Sequence, residues 1–273
     1  MTEKSTATVP EQPYVLSRIS SAVATLTMNR GDRFNPLSME MIAALRAEFD
    51  AVAANPAVRV VVLAANGRGF CAGHDLKEMR GRAGAESGNK AWQQELFESC
   101  AKLMVAITRI PQPVIARVQG IATAAGCQLV STCDLAVASD TAKFALPGVN
   151  VGVFCSTPAV GVSRNVGRKR AMELLLTGDS IDADTALDWG LVNRVVALDR
   201  LDEEVAALAD AIAARSAAVV RLGKRTFYEQ LEQNLVGAYG LAGETMACNL
   251  MLEDAAEGID AFLQKRPPVW KGD

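Results

Sequence analysis

Gly69-Phe70-Cys71-Ala72-Gly73-His74-Asp75-Leu76-Lys77-Glu78-Met79 is a loop of small residues that runs into a short helix. Gln119-Gly120-Ile121-Ala122-Thr123-Ala124-Ala125-Gly126-Cys127-Gln128-Leu129 repeats the design fifty residues later. Each loop follows an apolar run of strand length. Val60-Val61-Val62-Leu63 precedes the first and Val114 to Val118 the second. Such runs, apolar at successive positions, suit strands buried on both faces. Small residues let a ligand approach the backbone. The amides at a helix start have no intrahelical partner and carry the positive end of the dipole. Two such loops side by side can aim two donors at one oxygen. Small-residue loops at strand–helix junctions also serve tight packing, so the pattern by itself leaves both uses open.

Working outward, residues 1–13 read as a flexible tail. Tyr14 to Met28 holds two short β-type runs meeting near Ser20-Ser21, a hairpin signal. Ser38 is placed to cap a helix whose apolar positions are Met41, Ile42, Leu45, Phe49 and Val52, and Asn55-Pro56 ends it. Gly81 to Asn89 reads as irregular and Ala91 to Thr108 as a long helix. Further helix is expected over Ala125 to Thr132, with short strands at Leu135 to Val137 and Lys143 to Leu146. The unit strand–loop–helix recurs at intervals of a few tens of residues, a solenoid-like pattern. From about Asn165 the pattern turns helical: Gly167 to Leu176, Ala183 to Trp189, Leu201 to Ala214, Ala217 to Gln233 and Leu235 to Ala261. The expected organisation is a tail at 1–13, an α/β core at 14–200 and a C-terminal helical region at 201–273.

Composition narrows the chemistry. The chain has 273 residues, a net charge of −3 and a single histidine, His74. One histidine rules out a multi-histidine metal site within one chain and would force any Ser-His-Asp arrangement through His74. The near-neutral charge and 5% aromatic content argue against nucleic acid as a partner. Six cysteines without a CxxC pair give neither a zinc knuckle nor a redox motif. The N-terminal residues lack an apolar or Arg-rich targeting pattern, and no apolar run reaches the roughly 18 residues that span a bilayer. These features lead to the expectation of a reduced, cytoplasmic protein with no membrane association.

The motifs, taken in order, resemble the enoyl-CoA hydratase/isomerase (crotonase) superfamily over nearly the whole chain. Phe70 to Asp75 matches its FxAGxD segment, and Gly120 to Asp134 its Gly-rich loop ending in CD. Arg30 to Leu37, Phe144 to Gly152, Thr177-Gly178 with Ala186 to Val195, and Phe262 to Lys271 match further segments. The resemblance implies a spiral of ββα turns followed by a C-terminal helical region that builds trimers or dimers of trimers. It implies no resident cofactor and no metal, with coenzyme A entering as part of an acyl thioester substrate. The thioester carbonyl oxygen would lie between the backbone amides of His74 and Ala125, which stabilise an enolate. Coenzyme A contacts would fall on Arg33, Ala72, His74, Asp75, Leu76, Lys77, Ala125 and Gly126. Phe262 and Lys265, contributed within the chain or by a neighbouring subunit, match positions near the adenine.

The chain departs from the family at two places. Typical hydratases hold two glutamates across the substrate; the matching positions here are Gln128 and Gly148. Glutamine does not titrate near neutral pH and glycine has no side chain. General acid–base assistance is typically worth about 10²–10⁴-fold, so hydration is expected to be slow unless other groups substitute. His74 is a possible general base, although its backbone alone can account for its position. Cys155, with Ser156 and Thr157, offers a possible pocket thiol or a buried structural one. Asp75 is expected to cap the following helix and Asp134 to be structural. Three activities remain: an enoyl-CoA hydratase/isomerase with nonstandard groups, an acyl-CoA binding protein without turnover, and a decarboxylase of a malonyl-type CoA using His74.

Overall fold

The hairpin expected around Ser20-Ser21 forms, with strand β1 (Val15–Ser20) antiparallel to β2 (Val23–Met28) and Val15 opposite Met28. The structure, a computed structural model, describes residues 12–81 and 90–272. Most of the expected tail therefore lies outside the described residues, as do residues 82–89 of the expected irregular stretch. Gln12 and Pro13 are anchored: their carbonyls accept from Arg30, whose guanidinium lies 3.8 Å from the Tyr14 ring centre.

Helix α1 (Met39–Ala53) starts at the predicted cap, where Ser38 accepts from the Met41 amide at 3.2 Å. Its buried residues are the five expected from spacing, Met41, Ile42, Leu45, Phe49 and Val52. Strand β3 (Val60–Ala65) is buried at every position. Alternation across the sheet explains this: Val61, Leu63 and Ala65 enter the main core, whereas Val60, Val62 and Ala64 enter a second, smaller one. The chain continues through α2 (Leu76–Gly81), α3 (Lys90–Arg109), β4 (Val114–Val118), β5 (Ala122–Thr123) and α4 (Ala125–Thr132). Then follow β6 (Leu135–Ser139), β7 (Lys143–Ala145), α5 (Ser156–Asn165), α6 (Arg168–Thr177), β8 (Ser180–Asp182), α7 (Ala183–Asp188) and β9 (Arg194–Val196). Helices α8 (Leu201–Ala213), α9 (Ala217–Leu231), α10 (Leu235–Leu250) and α11 (Glu253–Leu263) complete it.

Two sheets run side by side. The larger has the order β1-β2-β3-β4-β6-β9, parallel from β2 onward. The smaller has the order β5-β7-β8, and its row of pairing extends through two isolated bridges, Cys71 with Ala122 and Leu37 with His74. Each turn of chain thus contributes a strand to the large sheet, a short extended segment to the second row, and helix. That is the recurrent unit expected from sequence.

Two expectations are corrected and one helix was missed. Residues beyond Asn165 are not wholly helical: β8 joins the small sheet and β9 forms the edge of the large one. Both are three residues long, too short for alternation to register, and their pairing is tertiary. Helix α5 carries a glycine and a proline within ten residues and was not legible. The expected helix from Leu235 to Ala261 is two helices, interrupted at Met251-Leu252. Helix α8 lays Leu201, Val205 and Ala209 on Val60, Val62, Ile115 and Val137, closing the second face of the large sheet. Among the described residues no helix is long and apolar enough to cross a membrane.

Candidate active site at the junction of two loops

The loops meet because polar side chains lace successive turns together. Asn35 is fully buried; its Nδ2 donates to the carbonyls of Asn66, Gly69 and Phe70 at 3.0, 3.3 and 3.1 Å. Gln119 grips the same segment from the next turn, donating to Ala65, Gly67 and Gly69 at 2.9, 3.1 and 2.9 Å. The first loop is therefore clamped between its neighbours. It runs beside the second: the Phe70 and Cys71 amides donate to Ile121 O, Thr123 N donates to Cys71 O at 2.9 Å, and Thr123 Oγ1 to Ala72 O at 3.1 Å.

Glycine makes this approach possible at two places. A Cβ on Gly126 would lie 2.0 Å from Cys71 O. A Cβ on Gly73, whose φ is +92°, would lie 2.9 Å from Ala124 Cβ and 3.3 Å from Ala125 N. The two loops are thus in contact where His74 leaves one and Ala125 begins α4. Ala124 itself holds φ +49°, ψ −119° at the start of that helix, an unfavourable backbone for alanine. Its amide is tied to Ala145 O at 2.9 Å, which fixes the direction in which α4 starts. Among the described residues, no hydrogen bond occupies the amide of His74 or of Ala125.

Asp75 caps α2 as expected, its Oδ1 accepting from Lys77 N at 2.9 Å and Glu78 N at 3.2 Å. Ala72, Leu76, Lys77 and Gly126 share this junction by chain position. The His74 ring lies over the start of α1, with Nδ1 3.1 Å from Leu37 O, and meets Phe97 of α3 edge-on at 5.4 Å between centres. Burial pushes its pKa below the usual imidazole value; the Leu37 carbonyl opposes that more weakly. Gln128 is buried one turn into α4, and its Oε1 has no partner among the described residues.

Gly148 sits in a turn of 3₁₀ helix, Pro147–Val151, that closes back on itself: Val153 N donates to Gly148 O at 2.9 Å. A Cβ there would lie 2.3 Å from Val153 O and 2.8 Å from Cys155 Sγ. Cys155 is buried at the start of α5, and burial raises its thiol pKa. A raised pKa keeps it a thiol at neutral pH, the inert state. Burial pushes Cys71, Cys100 and Cys127 up to about 12. Arg33 stands exposed beside Asp32 in the first turn. Phe262 is 81% exposed on α11 and Lys265 follows that helix with φ +55°.

One cluster was not legible beforehand. Asp134 accepts from Val114 N at 2.7 Å, from Lys224 Nζ at 2.7 Å and from Tyr228 OH at 2.9 Å. Lys224 also donates to Ile107 O and Gln112 O, at 2.9 and 2.8 Å. It ties α9 to the core beneath the second loop. Its signal was a Lys–Tyr pair four apart on α9, which reads equally as a solvated helix face.

A spiral in which successive turns add strands to a parallel sheet, with two small-residue loops hydrogen-bonded to each other, defines a class of α/β scaffold. The chain belongs to the enoyl-CoA hydratase/isomerase family, whose model matches residues 18–273. It is 46% identical over 254 residues to enoyl-CoA hydratase domain-containing protein 3, mitochondrial, of Rattus norvegicus, covering 93% of this chain and 83% of that protein. An enoyl-CoA hydratase structure from Mycobacterium smegmatis superposes with TM-score 0.91 at 54% identity, covering 95% of this chain and 99% of that one. The human domain-containing protein 3 structure gives TM-score 0.90 at 46% identity, covering 95% and 100%. These relatives correct the expectation of a cytoplasmic protein: in rat, mouse, frog, zebrafish and human the relatives at 45–46% identity are named mitochondrial.

Proposed function

We propose that the chain binds coenzyme A thioesters with the carbonyl oxygen between the His74 and Ala125 amides, and stabilises an enolate there. The observation that carries this is the close approach of Gly73 to the start of α4, where an added Cβ would stand 3.3 Å from Ala125 N, at a junction where neither amide has a partner among the described residues. Two preorganised donors aimed at a developing oxyanion form the strongest single element of such catalysis. The Ala124 backbone, held in an unfavourable region, supports the reading, because strain persists where function needs a fixed direction. Ala72, Asp75, Leu76, Lys77 and Gly126 would frame the thioester arm, and Arg33 would meet the distal phosphates. The exposed Phe262 and Lys265 fit a contact completed by a second copy of the chain. The face of α10 and α11 bearing Leu235, Val236, Tyr239, Met251 and Phe262 is more than 70% exposed at each of these residues, an apolar area suited to subunit association.

The reaction class within the family is hydratase/isomerase-like, with Gln128 and Gly148 at the positions of the usual glutamates. The deciding experiment incubates pure protein with saturated, 2-enoyl and 3-hydroxyacyl thioesters of several lengths, and reads binding by calorimetry and conversion by mass spectrometry. Binding with turnover supports a hydratase/isomerase; binding with unchanged ligand supports a non-catalytic role. Absence of binding across the panel refutes both.

A further inference from the structure

Four buried side-chain atoms among the described residues have no hydrogen-bond partner: His74 Nε2, Gln93 Oε1, Gln112 Oε1 and Gln128 Oε1. Folded proteins leave few such groups, and each calls for a reason. Two of them are fixed in role by what their other end does. His74 Nδ1 lies 3.1 Å from Leu37 O. A carbonyl only accepts, so Nδ1 carries the proton and Nε2 holds a lone pair. Gln93 Nε2 donates to Met79 O at 3.1 Å, so its Oε1 is likewise an acceptor. Both flank Phe97: the His74 ring meets it edge-on, and Gln93 lies four residues earlier on the same face of α3. Burial favours the neutral imidazole. Gln128 is less informative, since its amide can turn over without losing a bond.

We propose that His74 Nε2 is a specificity-determining acceptor that receives a hydrogen bond from a hydroxyl on the acyl group of a bound coenzyme A thioester. This rests on the acyl-CoA reading above and adds how the acyl group is sorted. A hydroxyl donates to the waiting lone pair. An unsubstituted acyl group leaves it unpaired. A carboxylate in the same place brings acceptor against acceptor, so malonyl-type thioesters are disfavoured. Backbone contact alone would not require a fixed tautomer with an empty Nε2.

The test exploits the fact that His74 is the protein's one histidine. Labelling histidine with nitrogen-15 gives signals from one ring, whose protonated nitrogen is expected to be Nδ1. Addition of 3-hydroxybutanoyl-CoA should shift the Nε2 signal, and butanoyl-CoA should leave it in place. By calorimetry the hydroxylated thioester should bind roughly 3- to 10-fold tighter than the saturated one, the range of one neutral hydrogen bond. In His74→Asn the amide nitrogen can still reach Leu37 O, but no atom stands at Nε2, and the ratio should fall to about one. A proton on Nε2 in the free protein, an Nε2 signal indifferent to the hydroxyl, or equal binding of the two thioesters would overturn the proposal. Equal binding leaves the acyl-CoA reading intact. If neither thioester binds the folded protein, both readings fail together.

Discussion

Gly73→Ala tests the paired amides directly. Alanine at φ +92° costs about 1–2 kcal/mol of backbone strain. The new Cβ would also stand 2.9 Å from Ala124 Cβ, 3.1 Å from Thr123 O and 3.3 Å from Ala125 N. Ala124 already holds a positive φ, so it has little freedom to retreat, and the Ala125 amide must turn or shift. Gly152→Ala is the matched control: its φ is +77° and nothing lies within 4 Å of the added carbon. It carries the strain without the crowding. Both variants should fold, with a melting temperature lower by a few degrees for each kcal/mol lost. They should part at the site. Bound butanoyl-CoA should show a thioester carbonyl stretch lowered by two donors in the parent and in Gly152→Ala. In Gly73→Ala it should return toward its frequency in water. Any turnover found should drop by about 10²-fold or more, the typical cost of one misplaced oxyanion donor. An unchanged carbonyl frequency and rate in a folded Gly73→Ala protein would refute the assignment of these amides.

Other consequences are open to measurement. Gly148→Glu should not create a hydratase, alone or with Gln128→Glu, because its Cβ meets Val153 O at 2.3 Å; thermal unfolding should show it less stable than Gln128→Glu. Lys224→Met should cost about 3–5 kcal/mol in denaturant unfolding, since it strands the Asp134 carboxylate among buried groups, whereas Tyr228→Phe should cost about 1 kcal/mol. The folded His74 pKa lies below its unfolded value of 6.5, so the unfolded chain binds more protons near that pH. Stability should therefore fall as pH drops through 6.5 and toward the folded pKa, and His74→Asn should lack that component when urea midpoints are compared from pH 5 to 8. Val236→Asp with Met251→Asp, on side chains each 84% exposed, should lower the sedimenting mass if the α10–α11 face joins copies of the chain.

Legibility followed burial and local chemistry. Helix α1 could be read from Ser38 and five apolar positions because its cap and its stripe are both local. The bounds of β4 and α4 were readable for the same reason: an unbroken apolar run, then small residues, then a helix. Strands β8 and β9 were not, because three residues in pairing distance of another strand leave no periodic trace. Asn35 and Gln119 were invisible as clamps. A polar residue in a loop looks solvated until the next turn of the spiral supplies carbonyls for its amide. Lys224 is the same case at greater sequence distance, separated from Asp134 by ninety residues. The loops themselves were readable as a pair, and the resemblance implied that they meet, but what holds them together was not. It depends on side chains from the turns before and after.

Gln128 and Gly148, the positions where the resemblance would put the two glutamates, differ in kind, and that bears on what the site can do. At Gln128 stands a buried polar side chain of nearly glutamate shape, with one atom that has no partner among the described residues. At Gly148 the difference is architectural. Val153 and Cys155 fill the space in which a side chain would start, and Val153 N seals the turn onto Gly148 O. A chain that had merely lost a carboxylate would keep the room for it. Here the room is gone, while Gly73 still runs close enough to the second loop that an added Cβ would stand 3.3 Å from Ala125 N. Among the described residues, His74 is a titratable side chain at the junction of the loops that keeps an unpartnered lone pair. If a thioester binds as proposed, a hydroxyl on its acyl group would meet that neutral imidazole nitrogen, and the tautomer of the one ring is the most economical measurement of whether the site works this way.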